Sequence, residues 1–203
     1  MHSPLAQELK NKGISLLLGS NSLRRHELMA MCGFTFQIVK PSYNEAILDQ
    51  NRYSAKDYVL TQAENKAKSI KIPENSVLIC ADTVVVYQNT ILEKPKDHNE
   101  AKAMILGQLS DSVHTVITGV CISQLGDYQS FIDETQVKFN ALNEAEVDFY
   151  LENFDVLDRA GSYGIQEFIG LVGVQSIIGD YYNIMGLPIN KVYQAIKQIT
   201  LSK

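Results

Sequence analysis

An isolated carboxylate within an apolar strand is the strongest chemical signal in this sequence. Residues 77–86 read Val-Leu-Ile-Cys-Ala-Asp-Thr-Val-Val-Val, so Asp82 stands among strand-forming side chains. A buried carboxylate is costly unless a cation, a metal or several hydrogen-bond donors pair with it. Asp82 is therefore a candidate functional residue.

Lys94 is the first candidate partner for this carboxylate. It stands eleven residues after Thr83 and is followed by Pro95, which stiffens the backbone. If the chain turns back at residues 88–90, the ammonium group returns toward Asp82. In a hydrolytic site Asp82 would hold Mg²⁺ or take a proton from the attacking water, while Lys94 would neutralise charge on a phosphate. The same pair would equally serve as a structural salt bridge.

A second polar cluster directly follows an apolar segment near the start of the chain. Residues 20–25 read Ser-Asn-Ser-Leu-Arg-Arg, where a predicted strand passes into a predicted helix. The amides and hydroxyls of such a turn can face an anion at the helix N-terminus, and Arg24 and Arg25 add fixed positive charge. A triphosphate would fit there. The alternative is that Ser22 only caps the helix and that the arginines are solvated.

A third polar cluster lies near the end of the chain, where residues 160–166 read Ala-Gly-Ser-Tyr-Gly-Ile-Gln. With residues 20–25 it can supply partners for Asp82, and the three segments together suggest an enzyme that acts on a phosphate. The sequence has neither a Gly-x-x-x-x-Gly-Lys-Ser/Thr loop nor a Gly-x-Gly-x-x-Gly motif after a strand. Its four histidines are scattered, so any metal is expected to be a hard cation held by oxygen, such as Mg²⁺.

The composition is typical of a globular protein with one large domain or two small lobes. The chain has 203 residues, of which 45% are hydrophobic and 20% charged. A net charge of -5 argues against non-specific nucleic-acid binding but permits a local cationic pocket. Three widely spaced cysteines in apolar contexts, and no apolar run near the roughly 20 residues of a membrane helix, favour a cytoplasmic protein with reduced core thiols.

The pattern of apolar residues and turn signals predicts an α/β fold. A mixed, partly antiparallel sheet flanked by helices is expected, arranged as two lobes about a cleft. Predicted strands cover residues 14–19, 34–39, 77–86, 113–123, 128–139 and 171–178. Predicted helices cover 22–31, 54–70, 97–109, a segment opening at 143, and 188–199, with a loop at 41–53 and a hairpin turn at 88–90.

Several short motifs occur in an order that resembles the Maf family of nucleotide pyrophosphatases. In chain order they are Ser20-x-Ser22-x-Arg24-Arg25, Glu45, Lys66-Ala67, Ala81-Asp82-Thr83-Val84-Val85, Lys94-Pro95, His114-x-Val116-x-Thr118-Gly119, Tyr163-Gly164-Ile165-Gln166 and Gly186-Leu187-Pro188. The resemblance spans residues 16–192. Within the family, Thr83 after the aspartate and Gln166 in the Tyr-Gly-Ile-Gln segment are most similar to the branch that hydrolyses dTTP and UTP.

This resemblance implies a single catalytic domain over residues 1–203, with a fold like that of the inosine triphosphate pyrophosphatases. It implies hydrolysis of a nucleoside triphosphate between the α and β phosphates with a divalent cation, Mg²⁺ or Mn²⁺. A homodimer, a house-cleaning role in the nucleotide pool and a link to septum formation are also implied. The implied catalytic residues are Asp82, Lys94, Lys66 and Glu45, the implied substrate-binding residues are Ser20, Ser22, Arg24, Arg25, Thr83 and Gln166, and the implied metal ligands are Asp82 and Glu45.

The chemistry of two residues agrees with a pyrimidine base. The Gln166 amide offers a donor and an acceptor, which suits the O4 and N3–H edge of uracil or thymine, and the Thr83 hydroxyl can bond in either sense. A purine or cytosine edge would leave polar groups unpaired. Residues 167–170, Glu-Phe-Ile-Gly, stand where small residues are common in the family, so the edge of the base pocket is expected to differ.

Three alternatives stay open at this point. In the first, the chain is an enzyme that prefers another base or a modified nucleotide. In the second, it is a nucleotide-sensing partner of division proteins and has no turnover. For Gln166 alone, the alternative is a loop amide bonded to the backbone.

Overall fold

The computed structural model describes residues 2–44 and 52–201. In that part of the chain, strands and helices alternate along most of the length. The strands are β1 (Ser15–Leu18), β2 (Phe36–Ile38), β3 (Ser76–Tyr87), β4 (Thr90–Leu92), β5 (Val113–Gln124), β6 (Asp127–Phe139) and β7 (Val174–Ile178). The helices are α1 (Pro4–Asn11), α2 (Leu23–Met31), α3 (Ala55–Lys68), α4 (His98–Met104), α5 (Glu144–Asn153), α6 (Phe168–Gly173), α7 (Tyr181–Ile184) and α8 (Ile189–Leu201).

The strands form one seven-stranded sheet in the order β2-β1-β3-β5-β6-β7, with β4 paired to β3 off this path. β1 runs parallel to both β2 and β3. β4 is antiparallel to β3, and β7 is antiparallel to β6. The predicted α/β class with a mixed, partly antiparallel sheet is therefore confirmed.

The chain divides into two compact units, and three strands contribute residues to both. The first unit comprises Met1–Asp82, Thr118–Asp133 and Gly186–Lys203, and the second comprises Thr83–Ile117 and Glu134–Met185. Two units agree with the two lobes expected from the sequence. The cleft between them and the single domain over 1–203 stay predictions.

In the first unit, helix α3 packs closely on the sheet. Its buried residues are Val59, Gln62, Ala63, Lys66 and Ala67. A Cβ atom on Gly119 of β5 would lie 2.5 Å from the backbone carbonyl of Val59, so only glycine permits this close approach. The approach matters because α3 carries Lys66.

In the second unit, helix α5 begins where the sequence predicted a helix at residue 143. The Asn143 side chain accepts a hydrogen bond from the Glu146 amide at 3.0 Å, and the Glu146 carboxylate accepts from the Asn143 amide at 2.9 Å. This reciprocal capping box satisfies two amides at the helix start. The helix buries Tyr150 completely, together with Val147.

Two local assignments from the sequence were wrong or incomplete. The sequence pattern gave no helix before residue 14, yet α1 forms there, with Ser3 accepting from the Ala6 amide at 3.3 Å and Leu5 and Leu9 buried. Residues 171–173 were predicted as strand but end helix α6. A six-residue helix bounded by glycine carries too short a pattern to be told from a strand by periodicity.

The predicted helix over 97–109 changes its hydrogen-bonding pattern along its length. It is α-helical over α4 and π-helical over Ile105–Leu109. The two short helical segments Ala160–Ser162 and α7 were not predicted from the sequence.

The cysteines are free, with Cys80 and Cys121 buried and Cys32 half-buried. Burial raises the pKa of the Cys80 thiol to about 12, as expected of a core cysteine that stays protonated. None of the helices in the described part of the chain has the length and apolar composition needed to cross a bilayer.

Candidate active site

A close ion pair between Lys66 and Asp82 lies in the first unit. The Lys66 ammonium donates to Oδ1 of Asp82 at 2.6 Å, and the two side chains are 7% and 14% exposed. Such an arrangement satisfies the requirement that a carboxylate in an apolar strand be paired. The salt-bridge partner suggested by the sequence pattern was Lys94, whereas the structure pairs Asp82 with Lys66.

Two neighbouring features of the fold bring this pair together. Asp82 follows Ala81 on β3, where residues 77–81 are completely buried. Lys66 lies on the buried face of α3, next to Ala63 and Ala67. Because the helix packs directly on the sheet, the lysine side chain is only 7% exposed and is largely shielded from bulk solvent. The ion pair therefore places two charged groups at the edge of an apolar core.

Arg25 ties the loop after β1 to the end of the buried part of β3. Its Nη1 donates to the Ser20 hydroxyl at 3.2 Å and to the Ala81 carbonyl at 2.9 Å. Its Nε donates to the Gly186 carbonyl at 2.7 Å. Because Ala81 precedes Asp82, the guanidinium sets the position of the Ser20 loop relative to the carboxylate. The predicted role of Arg25 in binding phosphate stays a prediction.

The structure argues against the alternative in which Ser22 only caps helix α2 and the two arginines are solvated. Ser22 occupies the N-cap position of α2, but its side chain makes no capping hydrogen bond. Its amide instead donates to the Ser20 hydroxyl at 3.2 Å. The backbone carbonyl of Ser20 lies 2.7 Å from Nε2 of His26. Arg24 and Arg25 are both half-buried, so neither is a fully solvated surface arginine.

Thr83 and Lys94 belong to the second unit, at the base of a hairpin. Residues 88 and 89 both have positive φ, as in the tight turns that suit hairpins, and Val85 pairs with Leu92. Continuing this antiparallel register by two residues brings Lys94 level with Thr83. Lys94 itself is exposed. The hairpin predicted from the sequence is confirmed.

Gln166 stands at the third position of a tight turn in the second unit. The Glu167 amide donates to the Gly164 carbonyl at 3.1 Å, which closes the turn over residues 164–167. The Gln166 side-chain oxygen is buried and has no hydrogen-bond partner within the described ranges. This excludes the alternative in which that oxygen is bonded to the local backbone, and it leaves a buried acceptor.

A buried network of three side chains holds this turn. The Tyr150 hydroxyl accepts from the Gly164 amide at 2.9 Å and from Nη1 of Arg159 at 3.0 Å, and it donates to Oε2 of Glu167 at 2.7 Å. Arg159 also forms an ion pair with Glu167. The Arg159 and Glu167 side chains are only 11% and 14% exposed. Both ends of the turn that carries Gln166 are thus bonded to one phenol oxygen.

The tyrosine of the same motif pairs with a buried histidine. Nε2 of His114 lies 2.7 Å from the Tyr163 hydroxyl, and the rings of His114, Phe139 and Tyr163 meet edge to face at about 5 Å. His114 is 1% exposed. Burial lowers its pKa to about 4, because the surroundings disfavour the charged imidazolium.

We expect this histidine to make the protein less stable in acid. An unfolded histidine titrates near pH 6.5, so between about pH 6.5 and 4 the unfolded chain binds a proton that the folded protein excludes. The His114 contribution to the free energy of unfolding is fully present above pH 6.5 and falls by up to about 3 kcal/mol as the pH drops through this window. Denaturant unfolding at several pH values measures it. The variant His114→Gln should show a flatter pH dependence, and an unchanged slope would contradict the assignment.

The donor set for a divalent cation is small. The described residues hold no cluster of three His, Cys, Asp or Glu side chains that could bind a metal together. Mg²⁺ in nucleotide sites typically takes one or two carboxylates plus phosphate oxygens and water. Asp82, which is paired with Lys66 through Oδ1, can supply the one carboxylate that this simpler requirement needs. The other predicted ligand, Glu45, lies outside the described residues.

Sequence reasoning missed the bonds that hold the turn carrying Gln166. Tyr150, Arg159 and Glu167 were not selected, and no local pattern links residues so far apart in the chain. Lys66 was selected only through the family resemblance, although a signal was present. Its position continues the 59, 62, 63, 66, 67 spacing of the buried face of α3, and a lysine on an apolar stripe requires a partner.

Comparison with known proteins places the chain in a family. The model of the Maf-like protein family matches residues 15–199. A dTTP/UTP pyrophosphatase from Porphyromonas gingivalis is 40% identical over 92% of this chain and 94% of its own length. One from Phocaeicola vulgatus is 37% identical over 91% of this chain and 95% of its own length.

A solved structure is also similar over part of the chain. It is a nucleoside-triphosphatase/dITP/XTP pyrophosphatase from Mycobacterium abscessus, with a TM-score of 0.42 and 14% identity over 62% of this chain and 74% of that chain. The family match covers far more than half of the sequence and includes all of the motifs described above. The chain belongs to the Maf family.

Proposed function

We propose that this chain hydrolyses nucleoside triphosphates to the monophosphate and pyrophosphate, with dTTP and UTP as the preferred substrates. The observation that carries the proposal is the shielded Lys66–Asp82 pair beside the loop held by Arg25. Relatives of nearly the same length, 37–40% identical to this chain, are dTTP/UTP pyrophosphatases. A basic and acidic pair next to a phosphate-binding loop is the chemistry that such a reaction requires.

In this proposal Asp82 activates the water that attacks the α-phosphorus. Lys66 holds Oδ1 of the carboxylate, so the side chain keeps one orientation and its other oxygen can accept a proton from water. The Lys66 ammonium also balances the negative charge that a triphosphate brings. The proton leaves the water as its oxygen bonds to phosphorus, and pyrophosphate departs on the opposite side.

The triphosphate is held by hydroxyl and cationic groups from two segments. Ser20, Ser22, Arg24 and Arg25 lie at or near the N-terminus of α2, where backbone amides and the helix dipole favour anions. The hydrogen bond from Arg25 to Ala81 keeps this loop in register with Asp82. Lys94 at the base of the β3–β4 hairpin supplies a further charge for the phosphates.

The base is selected by Thr83 and Gln166. The buried Gln166 oxygen can accept from N3–H of uracil or thymine, and its amide nitrogen can donate to O4. Cytosine has an acceptor at N3 and a donor at C4, so it would meet like groups when the Gln166 oxygen faces N3. A mismatch of this kind leaves buried polar atoms without partners.

A divalent cation, Mg²⁺ or Mn²⁺, fits the donors. Asp82 would hold it together with phosphate oxygens, and Glu45 would be a second carboxylate ligand as the family resemblance implies. When bound, the cation supplies charge neutralisation on the phosphates.

Substrate preference tests the proposal directly. Pyrophosphate release would be measured with UTP, dTTP, CTP, GTP and ATP, each with Mg²⁺ and with Mn²⁺. We expect kcat/KM for UTP and dTTP to exceed that for CTP by about a hundredfold, because the pyrimidine edge is reversed in cytosine. Equal turnover of CTP would refute the assignment of Thr83 and Gln166. Binding without turnover of any nucleotide would favour a nucleotide-sensing protein instead.

We further propose a cytoplasmic homodimer that does not bind nucleic acid. The net charge of -5 disfavours contact with a polyanion. In the second unit, Leu171 and Ile178 are 78% and 70% exposed, so both side chains are available for a protein contact. Light scattering coupled to gel filtration would give the mass, and a monomer at micromolar concentration would contradict the dimer.

A further inference from the structure

We propose that Tyr150 is a positioning residue for base selection, acting through the turn that presents Gln166. Its hydroxyl, with the Arg159–Glu167 ion pair, fixes both ends of that turn. The inference rests on the proposed function in one respect, since it takes Gln166 to contact the base.

One atom, the Tyr150 hydroxyl oxygen, holds both ends of the turn. The turn runs from Gly164 to Glu167, and Gln166 is its third residue. The amide of the first residue donates to the Tyr150 oxygen, and the side chain of the fourth residue accepts from it. Any displacement of this oxygen therefore shifts the start and the end of the turn together. The Gln166 backbone between them has little freedom of its own.

The Tyr150 hydroxyl oxygen is itself fixed in position. Tyr150 is fully buried, and its ring packs on Phe154 with the ring centroids 5.1 Å apart. Water does not compete for the hydroxyl, so its hydrogen bonds act at low local dielectric and are stronger than surface bonds. Arg159 donates to the same oxygen and pairs with Glu167, which closes a ring of three side chains.

Two glycines, Gly164 and Gly170, let the turn pack tightly against its neighbours. A Cβ atom on Gly164 would lie 2.7 Å from Nη1 of Arg159 and from Oε2 of Glu167. A Cβ atom on Gly170 would lie 2.0 Å from the Ile165 carbonyl oxygen. The turn is thus enclosed by the ion pair on one side and by the backbone of α6 on the other. Movement of the turn requires the network to open.

The turn carries a buried hydrogen-bond acceptor, the Gln166 side-chain oxygen. The Gln166 oxygen has no hydrogen-bond partner in the part of the chain that the structure describes. A buried acceptor left in this way costs free energy unless a ligand donor completes it. A glutamine amide distinguishes N3–H from a bare N3 only while its oxygen is held at hydrogen-bond distance from that atom. The network supplies that placement.

These contacts do not involve the phosphate chemistry. The Lys66–Asp82 pair and the bonds of Arg25 use none of the atoms of the Tyr150 network. Loosening the turn should therefore reduce discrimination between bases more than it reduces turnover of a good substrate at saturation. A merely structural tyrosine would lower both together or neither.

The experiment compares Tyr150→Phe with the wild-type protein. Phenylalanine keeps the buried ring and removes only the hydroxyl. Tyr128→Phe is the control for loss of a phenol hydroxyl outside this network, since Tyr128 is 45% exposed at the start of β6. For each protein one measures kcat and KM for UTP and CTP, and the dissociation constants of the non-hydrolysable α,β-methylene analogues of both nucleotides.

We expect the ratio of UTP to CTP, in kcat/KM and in affinity, to fall about tenfold in Tyr150→Phe and to stay unchanged in Tyr128→Phe. The kcat for UTP should change by less than about threefold. In a Gln166→Ala background, the same substitution should no longer alter the ratio, because the two residues act in series. An unchanged ratio, or an equal loss in both backgrounds, would overturn the inference.

A second pair of variants decides the matter if Tyr150→Phe does not fold. Glu167→Gln retains an oxygen that accepts from Tyr150, whereas Glu167→Ala removes it. The inference predicts that Gln restores most of the selectivity that Ala loses. Equal loss of selectivity in both variants, or none in either, would contradict it.

Failure of the proposed function is separable from failure of this inference. A wild-type protein that prefers another base refutes the substrate assignment alone, and the ratio for that base still decides the role of Tyr150. If no nucleotide is turned over, the affinity ratios decide it. A wild-type protein without any base preference overturns both.

Discussion

Replacing Asp82 with asparagine is expected to lower kcat for UTP and dTTP by about a thousandfold. The amide has nearly the same shape as the carboxylate but cannot accept the proton of the attacking water. Its oxygen can still accept from Lys66, so the fold and much of the triphosphate binding should persist. Turnover measured by pyrophosphate release, with nucleotide affinity measured separately, checks both parts.

The chain offers a matched control for this substitution. In the same unit, Lys191 donates to Oδ1 of Asp133 at 2.6 Å, and the Asp133 side chain is 10% exposed. Asp133→Asn therefore weakens an ion pair of the same length and with a similarly shielded carboxylate. It should keep wild-type turnover. Equal turnover in Asp82→Asn and Asp133→Asn would place the catalytic carboxylate elsewhere.

Lys66→Met is expected to have the second-largest effect, since it changes both stability and turnover. Methionine fits the buried face of α3 but leaves the Asp82 carboxylate without its cation. Loss of one partner of a shielded ion pair costs about 3 kcal/mol in the free energy of unfolding. Turnover should also fall by about a hundredfold, because the carboxylate loses its fixed orientation. Denaturant unfolding and steady-state kinetics measure the two effects.

The double variant Lys66→Met with Asp82→Asn separates these effects. It contains no uncompensated carboxylate, so most of the lost stability should return while turnover stays at the level of Asp82→Asn. Lys191→Met is a control for loss of a lysine, with a smaller expected cost because Lys191 is 51% exposed. If the double variant were no more stable than Lys66→Met, the two groups would not be coupled as the structure indicates.

The sequence was sufficient to locate the strand that carries the candidate carboxylate Asp82. A continuous run of apolar β-formers before Asp82 predicts a buried strand, and an acid within it predicts a nearby partner. It was not sufficient to choose that partner. Lys94 was suggested by the hairpin that follows β3, whereas Lys66 reaches the carboxylate from a helix that is remote in sequence. Gly119 lets α3 approach the sheet closely at Val59, and Lys66 lies on the same buried face of that helix.

The same limit applies to the loop after β1. Its residue types predict an anion site, but the sequence pattern does not show that Arg25 bonds to Ala81 and Gly186. These carbonyls belong to segments that are remote from each other in sequence, and only the folded chain brings both of them to the guanidinium. The Tyr150 network is a further case, because its bonds join α5 to a turn more than ten residues away.

Secondary structure was predictable where the pattern was long or the caps were strong. Helices α3 and α5 begin at Ser and Asn caps that bond as the sequence suggests. Residues 171–173 were assigned to a strand because Leu and Val precede a true strand directly. In the fold, packing of Gly170 on the Ile165 backbone holds this segment in helix α6 instead.

Hydrolysis of UTP in H₂¹⁸O, by the wild-type protein and by Asp82→Asn, is the most direct test of the central claim. Phosphorus NMR identifies the products and the position of the label. If water activated at Asp82 attacks the α-phosphorus, the products are UMP and pyrophosphate, with ¹⁸O in UMP alone, and the variant forms them about a thousandfold more slowly. Label in pyrophosphate, release of orthophosphate, or undiminished turnover by Asp82→Asn would contradict the account.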